Sequence, residues 1–295
     1  MRKVLITGAN GQLGCELRKQ LKQYSMYYNI KTVGREELDI SQVQEVKTYM
    51  MQYKPHIVIN CAAYTSVDQA EVEVQKAQLI NVIGTINIVK ACKEVDAKFI
   101  YVSTDYVFDG GASLPYREGD QVNPQNVYGK SKLAGEEAVR RLCKKHFILR
   151  TAWLYGEGNN FVRTMLKLAQ TTSQINVVGD QFGTPTYTKD LAKVIIELMQ
   201  TEYYGTYHAT CEGSCSWYDF ACEIFRLKHL NVKVHKVTSE EFLRPAKRPQ
   251  YAVLENAKLK KIGLNTFRSW QEALADYLEA DAAWQEENLG GKANG

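Results

Sequence analysis

Val4-Leu5-Ile6-Thr7 runs without a break into Gly8-Ala9-Asn10-Gly11-Gln12-Leu13-Gly14, and an amphipathic stretch covers Gln12–Gln23. The apolar β-type run predicts a strand, and Leu13, Leu17 and Leu21 share one face of a predicted helix. Glycines spaced GxxGxxG join the two. A dinucleotide pyrophosphate needs a tight turn, bare backbone at close approach, and a helix N-terminus aimed at it. Glycines supply the first two, and unpaired amides with the helix dipole supply the third. An ordinary glycine-rich connection shows the same letters, and it is the strand–turn–helix setting that favours cofactor binding.

The same alternation continues outward. Ile30–Val33, Ile57–Asn60, Lys98–Ser103 and Phe147–Thr151 read as further strands. Helical stretches over Ala70–Lys93 and Val127–Lys144 separate the later ones. The expected fold class is therefore α/β, a Rossmann-type doubly wound parallel sheet with helices on both faces. Past Trp153 the pattern loosens. Phe161–Gln170, Lys189–Gln200, Ser216–Arg226 and Asn265–Ala280 look helical, with a Gly/Pro/Thr-rich connection at Gly179–Thr188. The expected organisation is a nucleotide-binding domain over residues 1–152 and a smaller C-terminal α/β substrate lobe over 153–285. Some later segments return to the first domain, and Glu286–Gly295 forms a frayed polar tail.

Composition narrows the setting. With 45% apolar and 24% charged residues the chain reads as an ordinary soluble globular protein. It has no run of about 18 apolar residues, so no membrane partner is expected. The apolar stretch after Arg2-Lys3 is too short for a signal peptide, which makes a cytoplasmic location the simplest expectation. Seven cysteines without a CxxC pair argue against disulfides and zinc, so no metal is expected. Cys211 and Cys215 read as small packing residues. The net charge of +4 is unclustered, which predicts no nucleic-acid partner and mildly favours anionic small molecules.

At the end of the second strand an acid would bind the ribose hydroxyls of NAD, but Val33-Gly34-Arg35 puts an arginine there. Arg35 could pair with a 2′-phosphate, pointing to NADPH, or be a solvated surface charge. Asp39-Ile40 follows and could set a carboxylate near the adenine. Either NADPH or NADH remains open.

Tyr128-Gly129-Lys130-Ser131-Lys132 contains YxxxK, which on a helix puts Tyr128 and Lys132 one turn apart on one face. A free tyrosine titrates near about 10, too high for acid–base work at neutral pH, and a nearby ammonium brings it down. Alone, YxxxK arises on helices by chance. Here the Lys98–Ser103 strand runs on into Thr104-Asp105-Tyr106, and strand carboxyl ends are where ligands bind in a parallel sheet. Thr104, Tyr128 and Lys132 thus form a hydroxyl, phenol and ammonium set suited to reducing a ketone.

With these stretches in place the chain resembles the extended short-chain dehydrogenase/reductases, and within them the dTDP-4-dehydrorhamnose reductases. Further runs carry the likeness: Asn60-Cys61-Ala62-Ala63-Tyr64-Thr65-Ser66-Val67-Asp68, Tyr101-Val102-Ser103-Thr104-Asp105-Tyr106, Leu149-Arg150-Thr151-Ala152-Trp153, Asp180-Gln181-Phe182-Gly183-Thr184-Pro185 and Lys247-Arg248-Pro249. The resemblance implies NAD(P)H-dependent reduction of C4 in a dTDP-linked 4-dehydro-6-deoxysugar, by a monomer or homodimer. Gly8, Asn10, Gly11, Gln12, Leu13 and Gly14 would hold the pyrophosphate, and Asp39-Ile40 would flank the adenine. Ala62, Ala63 and Tyr64 would line the cofactor, with Tyr128 and Lys132 reaching it as well. Thr65, Val67, Thr104, Tyr106 and Trp153 would face the sugar, while Gln181 and Arg248 would lie towards the nucleotide. Trp153 has a core reading beside this one, and Arg248 a surface reading. Two other activities fit the same fold: a nucleotide-sugar epimerase or dehydratase, and a non-catalytic regulatory subunit like that of methionine adenosyltransferase. Dehydratases resemble Thr-Asp-Glu where this chain has Thr104-Asp105-Tyr106, which disfavours elimination.

Overall fold

The computed structural model describes residues 1–289, with side chains described through residue 280. Five early strands, β1 (Arg2–Thr7), β2 (Tyr28–Val33), β3 (Ile57–Asn60), β4 (Lys98–Thr104) and β5 (His146–Thr151), pair in the order β5-β4-β3-β1-β2. All these pairings are parallel. A late strand, Gly205–His208, joins the outer edge of β5, also in parallel. The strand order reverses at β1, which opens a crevice between the carboxyl ends of β1 and β3.

The strands are apolar on both faces because helices cover both. Val4 and Ile6 point to one side with Leu13, Leu17 and Leu21 of α1 (Gln12–Leu21) and Leu191, Val194 and Ile195 of the Thr188–Leu198 helix. Leu5 points to the other, against Val46 and Met50 of α2 (Val43–Tyr53) and Ile88, Val89 and Cys92 of the Thr85–Glu94 helix. Ile57, Ile59 and Val58 repeat the alternation, as do Phe147, Leu149 and Ile148. The period of two along each strand thus divides the core into two layers.

Several expected elements shift. The expected Ala70–Lys93 helix is broken into Val67–Ala70, Val74–Gln78, a π-helical turn over Leu79–Gly84, and Thr85–Glu94. The turn carries Asn81 inward, where its amide bonds Tyr64 and Ser131. The last helix begins at Trp270, five positions later than Asn265. Of the expected tail, residues 286–289 continue that helix, and 290–295 lie outside the described residues. Beyond the main sheet, among the described residues, are three two-stranded pairs: Gln174–Val178 with Lys233–Val237, Phe182–Gly183 with Cys215–Ser216, and Leu154–Tyr155 with Thr186–Tyr187. Among the described residues no helix is long and apolar enough to cross a membrane.

Candidate active site

The turn after β1 is built around two glycines that tolerate no side chain. Gly8 has φ +64°, and a Cβ there would stand 2.5 Å from the Ala62 nitrogen at the end of β3. Gly14 lets α1 press onto the turn: its Cβ would stand 2.4 Å from the Gly8 oxygen. Gly11 occupies the N-cap and offers no side-chain cap, so the first amides of α1 stay open. They face a cleft of about 530 Å³ lined by Gly11, Gln12, Leu13 and Gly14 together with Ala63. Gln12 Oε1 is buried without a protein partner. A Cβ-free cradle and an open helix N-terminus fit a dinucleotide phosphate, while the orphaned Gln12 oxygen, an acceptor, suits a hydroxyl rather than the phosphate itself.

The adenine-side residues are less freely placed than the sequence suggests. Asn10 is exposed, and Gly34 packs under its amide. Arg35 is 75% exposed, with Nε 3.6 Å from Asp39 Oδ2. The Asp39 carboxylate accepts from the Ser41 amide at 2.9 Å and the Ser41 hydroxyl at 2.7 Å. Burial alone would raise its pKa, but the Ser41 hydrogen bonds and the Arg35 charge outweigh that and hold it low. Ile40 is buried against Gly84. Asp39 is therefore committed to its own turn, and Ile40 belongs to the core packing. Tyr64 is buried too: Asn81 holds its backbone from both sides and Glu73 accepts from its hydroxyl at 2.7 Å. Its ring packs beneath Tyr128, outside the cleft lining.

Thr104, Tyr128 and Lys132 all reach the cleft. Thr104 closes β4, while Tyr128 and Lys132 stand on the Val127–Leu142 helix, whose start is fixed by Asn126 accepting from the Gly129 amide. Thr104 Oγ1 donates to Asp105 Oδ1 at 2.9 Å. Burial drives the Tyr128 phenol above its ordinary pKa, although a hydrogen bond with Thr104 opposes this. The expected depression by Lys132 is not what the structure shows. Lys132 Nζ instead donates to the Val102 carbonyl at 2.7 Å and sits 4.0 Å from the centre of the Tyr101 ring. Burial pushes the Lys132 pKa down to about 7, against the pull of Glu136 one turn on. Glu136 is itself fully buried and accepts from Arg150 Nε at 2.9 Å and from Ser103 at 2.6 Å.

Thr65, Val67, Tyr106 and Trp153 line the same cleft. Gln181 and Arg248 do not; they line a neighbouring depression of about 590 Å³. Gln181 is buried and donates to Ser239 Oγ at 2.8 Å. Arg248 grips Asp68 through both terminal nitrogens at 2.9 and 2.8 Å, so its charge is already paired. Neither side chain is free to meet a diphosphate in this conformation, because each satisfies a buried or half-buried partner instead.

Sequence reasoning missed Asp105, Asn160 and Trp217, which also line the cleft. Asp105 is 2% exposed, its Oδ2 has no partner, and burial lifts its pKa to about 7. Its position directly after Thr104 at a strand carboxyl end was a usable signal. Asn160 and Trp217 come from segments after β5, and no local pattern pointed them at the cleft. All seven cysteines are free, and Cys211 and Cys215 are buried.

Comparison with known proteins adds to this geometry. The model of the family described as RmlD substrate binding domain matches residues 1–283. The spore coat polysaccharide biosynthesis protein SpsK of Bacillus subtilis (strain 168) is 45% identical over 280 residues, 95% of this chain and 98% of its own length. The crystal structure of a dTDP-4-dehydrorhamnose reductase from Clostridium acetobutylicum matches with a TM-score of 0.93 at 50% identity, covering 94% of this chain and 99% of that one. That of dTDP-4-dehydrorhamnose reductase from Bacillus anthracis, in complex with NADP, matches with a TM-score of 0.92 at 44% identity, covering 95% and 100%.

Proposed function

This chain belongs to the RmlD substrate binding domain family, and from that membership and the chemistry of the cleft we propose that it reduces the C4 keto group of dTDP-4-dehydro-L-rhamnose to give dTDP-L-rhamnose. It is an NAD(P)H-dependent oxidoreductase serving nucleotide-sugar and cell-surface polysaccharide synthesis. The observation that carries the reading is the convergence of a Cβ-free phosphate turn with Thr104, Tyr128 and Lys132 on one cleft.

When bound, the nicotinamide cofactor supplies the hydride. Gly8, Gly11 and Gly14 shape its phosphate cradle, and the open amides of α1 hold the negative charge. The exposed Arg35 is available to a 2′-phosphate, which favours NADPH, and the cofactor is NADPH or NADH. Thr104 holds the substrate carbonyl oxygen. Tyr128 donates its phenol proton to that oxygen as the alkoxide develops, and Lys132, one turn along the same helix and lining the same cleft, is available to the cofactor's ribose hydroxyls. Thr65, Val67, Tyr106 and Trp153 wall the deoxysugar. Residues 1–152 make the cofactor lobe, which the Gly205–His208 strand rejoins, and 153–285 make the substrate lobe. The protein works in the cytoplasm as a monomer or homodimer, without a nucleic-acid, membrane or metal partner.

The test follows NADPH oxidation optically with dTDP-4-dehydrorhamnose, with NADH in parallel and the product identified. Oxidation yielding dTDP-L-rhamnose is expected. A protein that binds either cofactor yet oxidises neither would overturn the assignment and favour another 4-keto sugar or a regulatory subunit.

A further inference from the structure

Trp153 and Trp217 lie face to face across the substrate side of the cleft, with ring centres 3.5 Å apart and planes 9° apart. That separation is van der Waals contact, so nothing inserts between them, and a ligand packs against the pair as one wall. Trp153 has φ +45°, a left-handed backbone that a bulky residue adopts at a cost and keeps only where its surroundings over-determine it. The surroundings are visible. A Cβ on Gly183 would stand 2.6 Å from Trp153 Cε2, so only a bare backbone fits beside that indole.

Trp217 is anchored independently. It opens the Trp217–Leu227 helix directly after Ser216, whose hydroxyl and amide are bound in a reciprocal cap with Asp219. On its other flank Phe161 packs at 4.6 Å between ring centres. Phe161 follows Asn160, which lines the cleft. The two tryptophans therefore come from segments far apart in sequence and meet only at the site. Thr104 and Tyr128, which would hold the reacting oxygen, line the same cleft.

We propose that Trp217 is a positioning residue for the sugar: it holds the strained Trp153 indole in place, and the pair forms the apolar wall for the C5–C6 face of a 6-deoxyhexose. This rests on the reading given under Proposed function. A methyl group packs on such a wall without loss, whereas a 6-hydroxymethyl group would leave its hydroxyl unpaired against indole carbon.

The experiment compares wild type with Trp217→Phe and Trp217→Ala in the reductase assay, with cofactor binding and far-UV circular dichroism measured on the same samples. Wild type should show the exciton-split band of a stacked indole pair, and both variants should lose it. Trp217→Ala should raise the KM for the sugar about tenfold, the scale of one well-packed aromatic partner, with kcat and NADPH affinity kept. Trp217→Phe should restore most of the KM. An unchanged KM, or an equal loss of NADPH affinity, would overturn the proposal. If Trp217→Ala fails to fold, Trp217→Leu decides: a raised KM for the sugar with NADPH affinity kept is expected, and a wild-type KM overturns the proposal. An inactive wild type would instead count against the reductase reading itself.

Discussion

Lys132 Nζ donates to the carbonyl of Val102 at 2.7 Å, although the lysine is 2% exposed and has no carboxylate in direct contact. A backbone carbonyl is a weak partner for a buried ammonium, and the depressed pKa of about 7 expresses that cost. A side chain held this way is primed to exchange its partner when a ligand with hydroxyl groups arrives. Replacement by a neutral chain of similar length separates structure from function. Lys132→Met should unfold in urea at a midpoint no lower than wild type, because a costly buried charge is removed. Its kcat should fall by about 10²–10⁴, the range of a lost acid–base partner. A lowered midpoint with normal turnover would mark Lys132 as structural.

Tyr128 offers a complementary case. Burial holds the phenol above its ordinary pKa, so it is protonated at neutral pH, the form from which a proton donor starts. Tyr128→Phe removes the proton and one hydrogen bond to Thr104 while keeping the ring that packs edge-on to Tyr106 at 5.6 Å. NADPH affinity by fluorescence titration should match wild type, and kcat should drop by about 10²–10⁴. Turnover that survives would assign the proton donor elsewhere.

Much of this site can be read from local sequence because its parts are local. The phosphate turn is one continuous strand–glycine–helix run, and YxxxK is a single helical turn. The glycine triplet spans the seven residues Gly8–Gly14 and YxxxK the five residues Tyr128–Lys132, so periodicity and spacing expose them. The α2 helix was missed because only Val46 and Met50 of it are buried, too few to make a stripe. The π-helical turn within the expected Ala70–Lys93 helix carries Asn81 inward to serve Tyr64 and Ser131, a tertiary demand no propensity carries. Arg248 misled for the same reason: its partner Asp68 is 180 residues away. Trp217 follows the Cys215–Ser216 strand, which pairs with Phe182–Gly183 from far earlier in the chain, so its place at the cleft is a tertiary fact.

Gly14 tests the turn without a backbone penalty, since it lies within α1 at an ordinary helical φ. A Cβ there would stand 2.4 Å from the Gly8 oxygen and 2.7 Å from the Ala9 Cα, both backbone atoms that cannot swing aside. Gly14→Ala should cost about 1–3 kcal/mol of stability through overpacking. NADPH should bind about tenfold more weakly, for a displaced cradle that loses ~1.4 kcal/mol. Gly119→Ala is the control, because a Cβ at Gly119 meets nothing within 4 Å. Equal effects from the two substitutions would show that the close approach at Gly14 is not what matters.

Asp105 gives the site a pH signature of definite sign. Burial raises its carboxyl from an ordinary 3.8 to about 7, with one oxygen accepting from Thr104 and the other unpartnered. Between those values the folded state holds a proton that the unfolded chain has released, so its contribution to stability is lost as pH rises from about 4 to about 7. His208 acts in the opposite sense. Its pKa is pushed down to about 3 by burial and by Arg150, so its contribution grows with pH from about 3 to 6.5. The total profile therefore hides Asp105, and a difference reveals it. Asp105→Asn keeps the shape and removes the titration. Urea denaturation at pH 4.5 and pH 7.5 should show the variant gaining on wild type by between about 1 and 4 kcal/mol across that interval, for a displacement of one to three units at ~1.4 each. A difference that does not change with pH would mean the Asp105 carboxyl titrates in the folded protein as it does in the unfolded chain.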